Sequence, residues 1–304
     1  MLLVHIPLKK GKNMCRKEWR NLKYNIGIMQ GRLTEPKGRG IQFFPFDNWE
    51  KEFALASQIG IKEIEFIFDY DKYELNPLWI EGGKYLEEVI KESGVQVKKV
   101  CFDYFMRRPF YKYRGDTRKE ILNENEVVLE RVLENMHNIG INLIEIPLVD
   151  NSSLKSDDEK ENFLDFLKKN VKKNFGEIRY GLETDLPPLE FRKYLEEFND
   201  IHIGANYDSG NSSGMGYDPY EEITTLNDYI FNVHIKDRIF HGTTVELGTG
   251  SADFEKIFMA LSKIDYKNDF ILQAAREQEG DELKTIKKQK QFLENYINKY
   301  LVNG

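Results

Sequence analysis

Cysteine is nearly absent: the 304 residues hold two, Cys15 and Cys101. Two thiols build neither a disulfide framework nor a cysteine-based zinc site. Such sparse use fits a reducing, cytoplasmic compartment. A basic surplus is also lacking, since 44 Lys and Arg stand against 51 Asp and Glu, for a net charge of −7. A binder of phosphate backbones carries a basic face, so nucleic acid is excluded as the main partner. No apolar run approaches the ~20 residues of a membrane span. Residues 1–7 are apolar, but Lys9, Lys10 and Lys12 follow at once and no cleavage signature is present. Residues 1–22 are therefore expected to be a flexible extension or the result of a mis-set start codon, ahead of one domain at 23–304. A glycine-rich phosphate loop is missing too: Met29-Gln30-Gly31-Arg32 is not G-x-G-x-x-G.

What is present is apolar material in short pieces. Hydrophobic residues make up 40% and aromatics 13%, enough for a large core. Runs rich in Ile, Val and Phe recur at 24–29, 61–68, 95–102, 142–147, 178–183, 201–208, 230–235 and 269–274. Gly, Pro, Asp or Asn bounds each one, which suits strands buried on both faces of a parallel sheet. Helical spacing fills the gaps at 48–59, 85–93, 120–139, 157–175, 188–198, 219–226, 253–262 and 282–301. Gly60, Gly94, Gly140 and Gly176 stand where the first four of these helices should end. The phrase Gly-Ile-x-x-Ile-Glu occurs at both Gly60–Glu65 and Gly140–Glu145, an internal echo of one βα unit. Eight strands alternating with eight helices predict an α/β fold, a single-domain (β/α)8 TIM barrel.

In such a barrel, chemistry sits at the carboxyl ends of the strands. Glu183, Asp208, His234 and Gln273 fall at the ends of four consecutive runs, the fifth to the eighth. Converging on one point, three oxygen donors and an imidazole would hold one divalent ion, Mn2+, Mg2+, Co2+ or Zn2+, with a position open for substrate. Read singly, each is weaker: Glu183 and Asp208 serve equally as helix caps, and a lone His234 in an apolar strand as a core histidine. Glu145, Lys236, Asp237 and Arg238 also fall at strand ends. Arg238 and Arg276 follow the last two strands, where barrels often bind phosphate or carboxylate, or they form rim ion pairs. Arg107, Arg108 and Arg114, set among Tyr104, Phe105, Phe110, Tyr111 and Tyr113, suggest a lid loop or a partner surface. Phe68, Trp79 and Phe102 are candidates either for the pocket wall or for plain core.

The sequence resembles the xylose-isomerase-like barrel superfamily, in its branch of sugar-phosphate isomerases and epimerases. The resemblance is carried by Gly31-Arg32-Leu33, Gln42-Phe43-Phe44-Pro45, Trp49-x-x-Glu52-Phe53, Ile64–Asp69 and Asn76-Pro77-Leu78. Further along it is carried by Gly181-Leu182-Glu183, Asp208-Ser209-Gly210-Asn211, Val233–Arg238, Leu247-Gly248-x-Gly250 with Asp253-Phe254, and Leu272–Arg276. It implies a divalent metal on Glu183, Asp208, His234 and Gln273. It also implies proton exchange beside a ketose carbonyl through a metal-stabilised cis-enediolate, with Glu183 as base and Lys236 and Asp237 assisting. Glu145, Asn211, Arg238 and Arg276 are then expected to bind the sugar or sugar phosphate, and homo-oligomerisation stays open. Two positions depart from the epimerase pattern. Gln273 stands for a glutamate, and an amide cannot shuttle a proton; Asn211 stands for a histidine. These departures favour one-base isomerisation over two-base epimerisation. They also keep open a sugar or keto-inositol dehydratase and a non-catalytic metal- or sugar-binding barrel. The superfamily's nuclease members use a histidine-rich metal cluster, which five scattered histidines do not supply.

Overall fold

A computed structural model describes residues 24–302, apart from 37, 39, 174, 176, 177 and 277–279. The expected extension at 1–22 and the helix stop at Gly176 lie outside the described residues. The strands are β1 (Ile26–Met29), β2 (Glu63–Ile67), β3 (Lys99–Cys101), β4 (Leu143–Leu148), β5 (Arg179–Thr184), β6 (Ile203–Asp208), β7 (Ile230–Ile235) and, after a short hairpin of β8 (Asp237–Arg238) with β9 (Thr244–Val245), β10 (Phe270–Leu272). All but the hairpin close a parallel barrel in the order β1-β10-β7-β6-β5-β4-β3-β2. β1, β2, β4 and β6 are buried along their whole length. The interior of the barrel and the inner faces of the helices form one continuous core.

The outer layer consists of α1 (Trp49–Gln58), α2 (Lys84–Ser93), α4 (Gly115–Asn138), α5 (Asp157–Val171), α6 (Pro188–Phe198), α8 (Pro219–Leu226), α9 (Phe254–Lys263) and α10 (Glu282–Ile297). Two shorter helices, α3 (Tyr104–Arg107) and α7 (Ser209–Met215), sit on strand-to-helix loops. Local chemistry accounts for the ends. Gly94 closes α2 in the left-handed region at φ 70°, donating to the Ile90 carbonyl. The Ser156 hydroxyl caps α5 by accepting from Glu159 N–H, and Asp157, Asp158 and Glu159 face the positive end of that helix. α4 starts at Gly115, ahead of the expected 120, because one more turn fits between the Arg114 cap and the first apolar contact at Ile121.

The loop read as a lid or a partner surface is packed down by its aromatics. Tyr104, Phe105, Phe110 and Tyr111 are fully buried. Phe105 and Phe110 pack on Phe166 of α5 at centroid distances of 5.6 and 4.6 Å. The Tyr111 hydroxyl donates to the Ser152 carbonyl at 2.6 Å. Arg108 pairs with Glu124 and Arg114 with Asp158. Aromatic burial on this scale holds the segment down, and only Met106 and Arg107 of it reach the cavity.

Candidate metal centre and active site

β5, β6 and β7 deliver Glu183, Asp208 and His234 to one point. Their ligand atoms lie within 4.8 Å of one another, and all three residues are buried. His234 Nδ1 is 3.4 Å from Glu183 Oε2 and 3.9 Å from Asp208 Oδ2. The other ring nitrogen is taken: Nε2 stands 3.1 Å from Glu65 Oε1 on β2. Glu65 is itself held by Asn232 Nδ2 at 2.9 Å. A carboxylate behind the remote nitrogen fixes the ring and turns Nδ1 toward the acids, as in metal-binding histidines.

Asp208 divides its two oxygens. Oδ1 caps α7, accepting from Gly210 and Asn211 N–H at 2.8 and 2.7 Å. Oδ2 faces the site, 3.3 Å from Lys236 Nζ. Without that cap, the Gly- and Ser-rich stretch Ser209–Met215 has little reason to be helical. Glu183 is clasped by two amides, Asn206 Nδ2 on Oε2 at 2.6 Å and Asn211 Nδ2 on Oε1. Gln273 follows β10, with its carbonyl oxygen 3.4 Å from Lys236 Nζ.

The electrostatics follow from burial and crowding. Burial alone would lower His234, but the carboxylates of Glu65 and Glu183 outweigh it and hold the imidazole well above its usual range. Burial would raise Glu183, yet His234, Lys236 and Asn206 together hold it below the ordinary carboxylate value. Burial pushes Asp208 up, with Lys236 opposing. Burial and then Glu183 push Glu145 well above its ordinary value. Glu145 is 1% exposed, and neither of its oxygens meets an N–H or O–H group. A second trio, Glu65, Cys101 and Glu145, also brings its ligand atoms within 4.8 Å. Glu65 in that trio is already committed to His234 and Asn232.

The site opens into a cavity of about 730 Å³ at the carboxyl ends of the strands, whose lining includes Glu145, Glu183, Asn211, Lys236, Arg238 and Gln273. Another hollow, of about 660 Å³, lies between the β1 loop and the start of α10 and is lined by Lys51, Asp281 and Lys287 among others. It holds none of the acid–imidazole set. The donor set at Glu183, Asp208 and His234 fits a divalent ion: two carboxylate oxygens and an imidazole nitrogen converge, a buried cluster of acids calls for positive charge, and the Gln273 oxygen lies on the same Lys236.

Two expectations change with the geometry, and one alternative is decided. Asp237, read as catalytic, accepts from Gly248, Gly250 and Ala252 N–H at 2.9, 2.9 and 3.0 Å. It ties down the loop after β9 and is absent from the cavity lining. Arg276, read as a substrate ligand, donates to the Thr34 and Gly31 carbonyls and lies over the Phe43 ring, bracing the β1 loop. Phe68 and Phe102 are fully buried and stack on each other at 5.5 Å, so they are core. Trp79 packs edge-on against Tyr73, under Arg131. Arg238 does line the cavity, but its guanidinium already reaches Asn211 Oδ1 and the Gly242 carbonyl. The residues not foreseen are Glu65, Asn206 and Gln42. The repeated Gly-Ile-x-x-Ile-Glu phrase was the available signal for Glu65, since it places Glu65 and Glu145 at matching points of their strands.

The chain belongs to the xylose isomerase-like TIM barrel family, whose model matches residues 53–296. A Haemophilus influenzae protein provisionally named L-ribulose-5-phosphate 3-epimerase SgbU is 23% identical over 293 residues, covering 91% of this chain and 98% of that protein. A D-allulose 3-epimerase from a Methylomonas species, solved with D-allulose, superposes with a TM-score of 0.71 at 15% identity, over 90% of this chain and 97% of that one. The IOLI protein with a bound zinc atom superposes at 0.69 and 16% identity, over 91% and 99%.

Proposed function

We propose that the protein is a divalent-metal-dependent isomerase or epimerase of a small sugar or sugar phosphate. The observation that carries this reading is the convergence of Glu183, Asp208 and His234 within 4.8 Å, with Glu183 lining a sugar-sized cavity. The names of its relatives, a pentulose-phosphate epimerase and an allulose epimerase, point to the same chemistry. Few cysteines and a buried free Cys101 suit a cytoplasmic setting.

Glu183, Asp208, His234 and the Gln273 oxygen would hold the ion. When bound, it would polarise a substrate carbonyl and stabilise negative charge on that oxygen. The rest falls to the chain. Glu183, kept ionised below its ordinary range, removes the proton from the carbon beside the carbonyl. Asn206 and Asn211 fix the direction of its oxygens. Lys236 puts positive charge where an alkoxide develops. Glu145, raised by burial, carries a proton beside the base. Gln273 moves no proton, so Glu183 returns its proton on the face from which it came, as in aldose–ketose isomerisation.

The test is solvent exchange. Metal-loaded protein is incubated in D2O with ketoses, aldoses and their phosphates, and deuterium beside the carbonyl is followed by NMR. Wild type should exchange with at least one of them, and Glu183→Gln should lose exchange while still binding metal. Metal binding without any exchange would sink the enzyme reading and leave the sugar- and metal-binding barrel that Gln273 keeps open.

A further inference from the structure

Gln273 does not stand alone. Its Nε2 donates to Gln42 Oε1 at 2.9 Å, and Gln42 Nε2 donates to Asp103 Oδ2 at 2.9 Å. At the other end, Lys236 Nζ donates to Gln273 Oε1 at 3.4 Å. Four side chains from four elements thus form one line, from β7 through the end of β10 and the β1 loop to the end of β3. An amide can face either way, but the two ends of this line cannot. A lysine ammonium only donates, and a carboxylate only accepts. Between them, both amides have a single consistent orientation. Arg32 enforces it by reaching Gln42 Oε1 at 3.4 Å, and Cys101 Sγ by donating to Asp103 Oδ1 at 3.3 Å.

From this geometry we propose that Gln42 and Asp103 are positioning residues for Gln273, holding its carbonyl oxygen toward Lys236 and the acid–imidazole cluster and making the site one built for a neutral amide at this position. The inference rests on the proposed function only where it assigns the Gln273 oxygen to the ion; the polarity of the line stands without it. A carboxylate at 273 would meet the Gln42 oxygen head-on. Relief requires Gln42 to turn over, which then sets its oxygen against Asp103, an acceptor only when ionised, above the value of about 6 to which burial raises it. The amide at 273 and the acid at 103 are therefore a matched pair.

The matched pair makes a prediction about sign. Asp103→Asn leaves a single oxygen for two donors, Gln42 Nε2 and the Cys101 thiol, and should lower the melting temperature of the metal-free protein. In a Gln273→Glu background the same change supplies a donor to the turned-over Gln42, so it should raise the melting temperature. In the otherwise unchanged chain, Asp103→Asn should also weaken Co2+ binding by calorimetry, by less than the roughly tenfold that loss of a ligand's direct partner costs; a merely structural role would leave it unmoved. If Asp103→Asn shifts the melting temperature in the same direction in both backgrounds, the line does not set the polarity and the proposal fails. Should Asp103→Asn not fold, Gln42→Met serves. With the reader of residue 273 gone, Gln273→Glu should cost less than it does beside Gln42, and an undiminished cost would overturn the proposal. The melting readouts need neither metal nor turnover. A sign reversal in a protein that binds no metal would fail the proposed function and leave the positioning line standing.

Discussion

In the metal-free protein the acids around His234 favour a proton on its imidazole. His234 is held well above its usual range by Glu65 on one nitrogen and Glu183 on the other. A cation needs Nδ1 unprotonated, so metal and proton compete. The sign follows. The raised imidazole stabilises the apo fold fully below its unfolded value of about 6.5 and loses that contribution as pH rises through the folded value. Metal affinity moves the opposite way, rising as the proton leaves. One displaced proton means about tenfold tighter binding per pH unit below the folded value, or about 1.4 kcal/mol per unit. Between pH 6 and 7 that is about tenfold for Mn2+. The assay is calorimetric titration of Mn2+ in two buffers of different ionisation enthalpy, which also counts protons released. Close to one proton per ion is expected at pH 6. Glu65→Gln takes away the closer of the two charges that raise His234 and puts a neutral amide in place of the carboxylate behind Nε2. Its affinity should vary less with pH and, at pH 8, should be roughly 10–100-fold weaker than wild type, because the ring is no longer oriented. A flat pH profile with no proton release in wild type would refute the account of His234.

Other perturbations test the frame around the site. Asp237→Asn replaces one of the two oxygens that accept three partly buried N–H groups with a donor; it should lower stability by about 1–2 kcal/mol in urea titrations while leaving Mn2+ affinity within about twofold. A Cβ on Gly204 would lie 2.3 Å from the Tyr229 carbonyl and 2.7 Å from the Phe231 ring, so Gly204→Ala should cost about 1–3 kcal/mol by thermal melting. A Cβ on Gly210 would press on Lys236 Cγ at 2.5 Å; Gly210→Ala should displace the ammonium and lower turnover more than folding stability. Asp269 is held at about 2, burial being overcome by Lys98 and the Asn25 N–H. Its stabilising contribution is present above about 4 and disappears as pH falls toward 2. Discounted for its partial exposure, that is at most about 2 kcal/mol, and Asp269→Asn should flatten acid unfolding between pH 4 and 2.

Much of this molecule is legible in one dimension because its rules are local. Strand and helix periods, Gly94 as a left-handed stop and the Ser156 cap are settled by residues a few positions apart, and they suffice to announce eight βα units. A barrel then follows almost of necessity, and with it the placing of Glu183, Asp208 and His234 at neighbouring strand ends. The same locality explains the misreadings. Asp237 and Arg276 look like site residues because they end strands, but which way a strand-end side chain turns depends on the loop that crosses above it. For Asp237 that loop is Gly248–Ala252, and for Arg276 it is the β1 loop more than two hundred residues away in sequence. The aromatic stretch after β3 reads as a lid because nothing nearby says that Phe163 and Phe166 will come down onto it. Glu65 behind His234, and the line from Lys236 to Asp103, join residues from opposite sides of the barrel. Closure of the sheet alone brought them within hydrogen-bonding distance, because hydrogen-bond polarity is a property of neighbours in space, and the order of residues along the chain does not encode it.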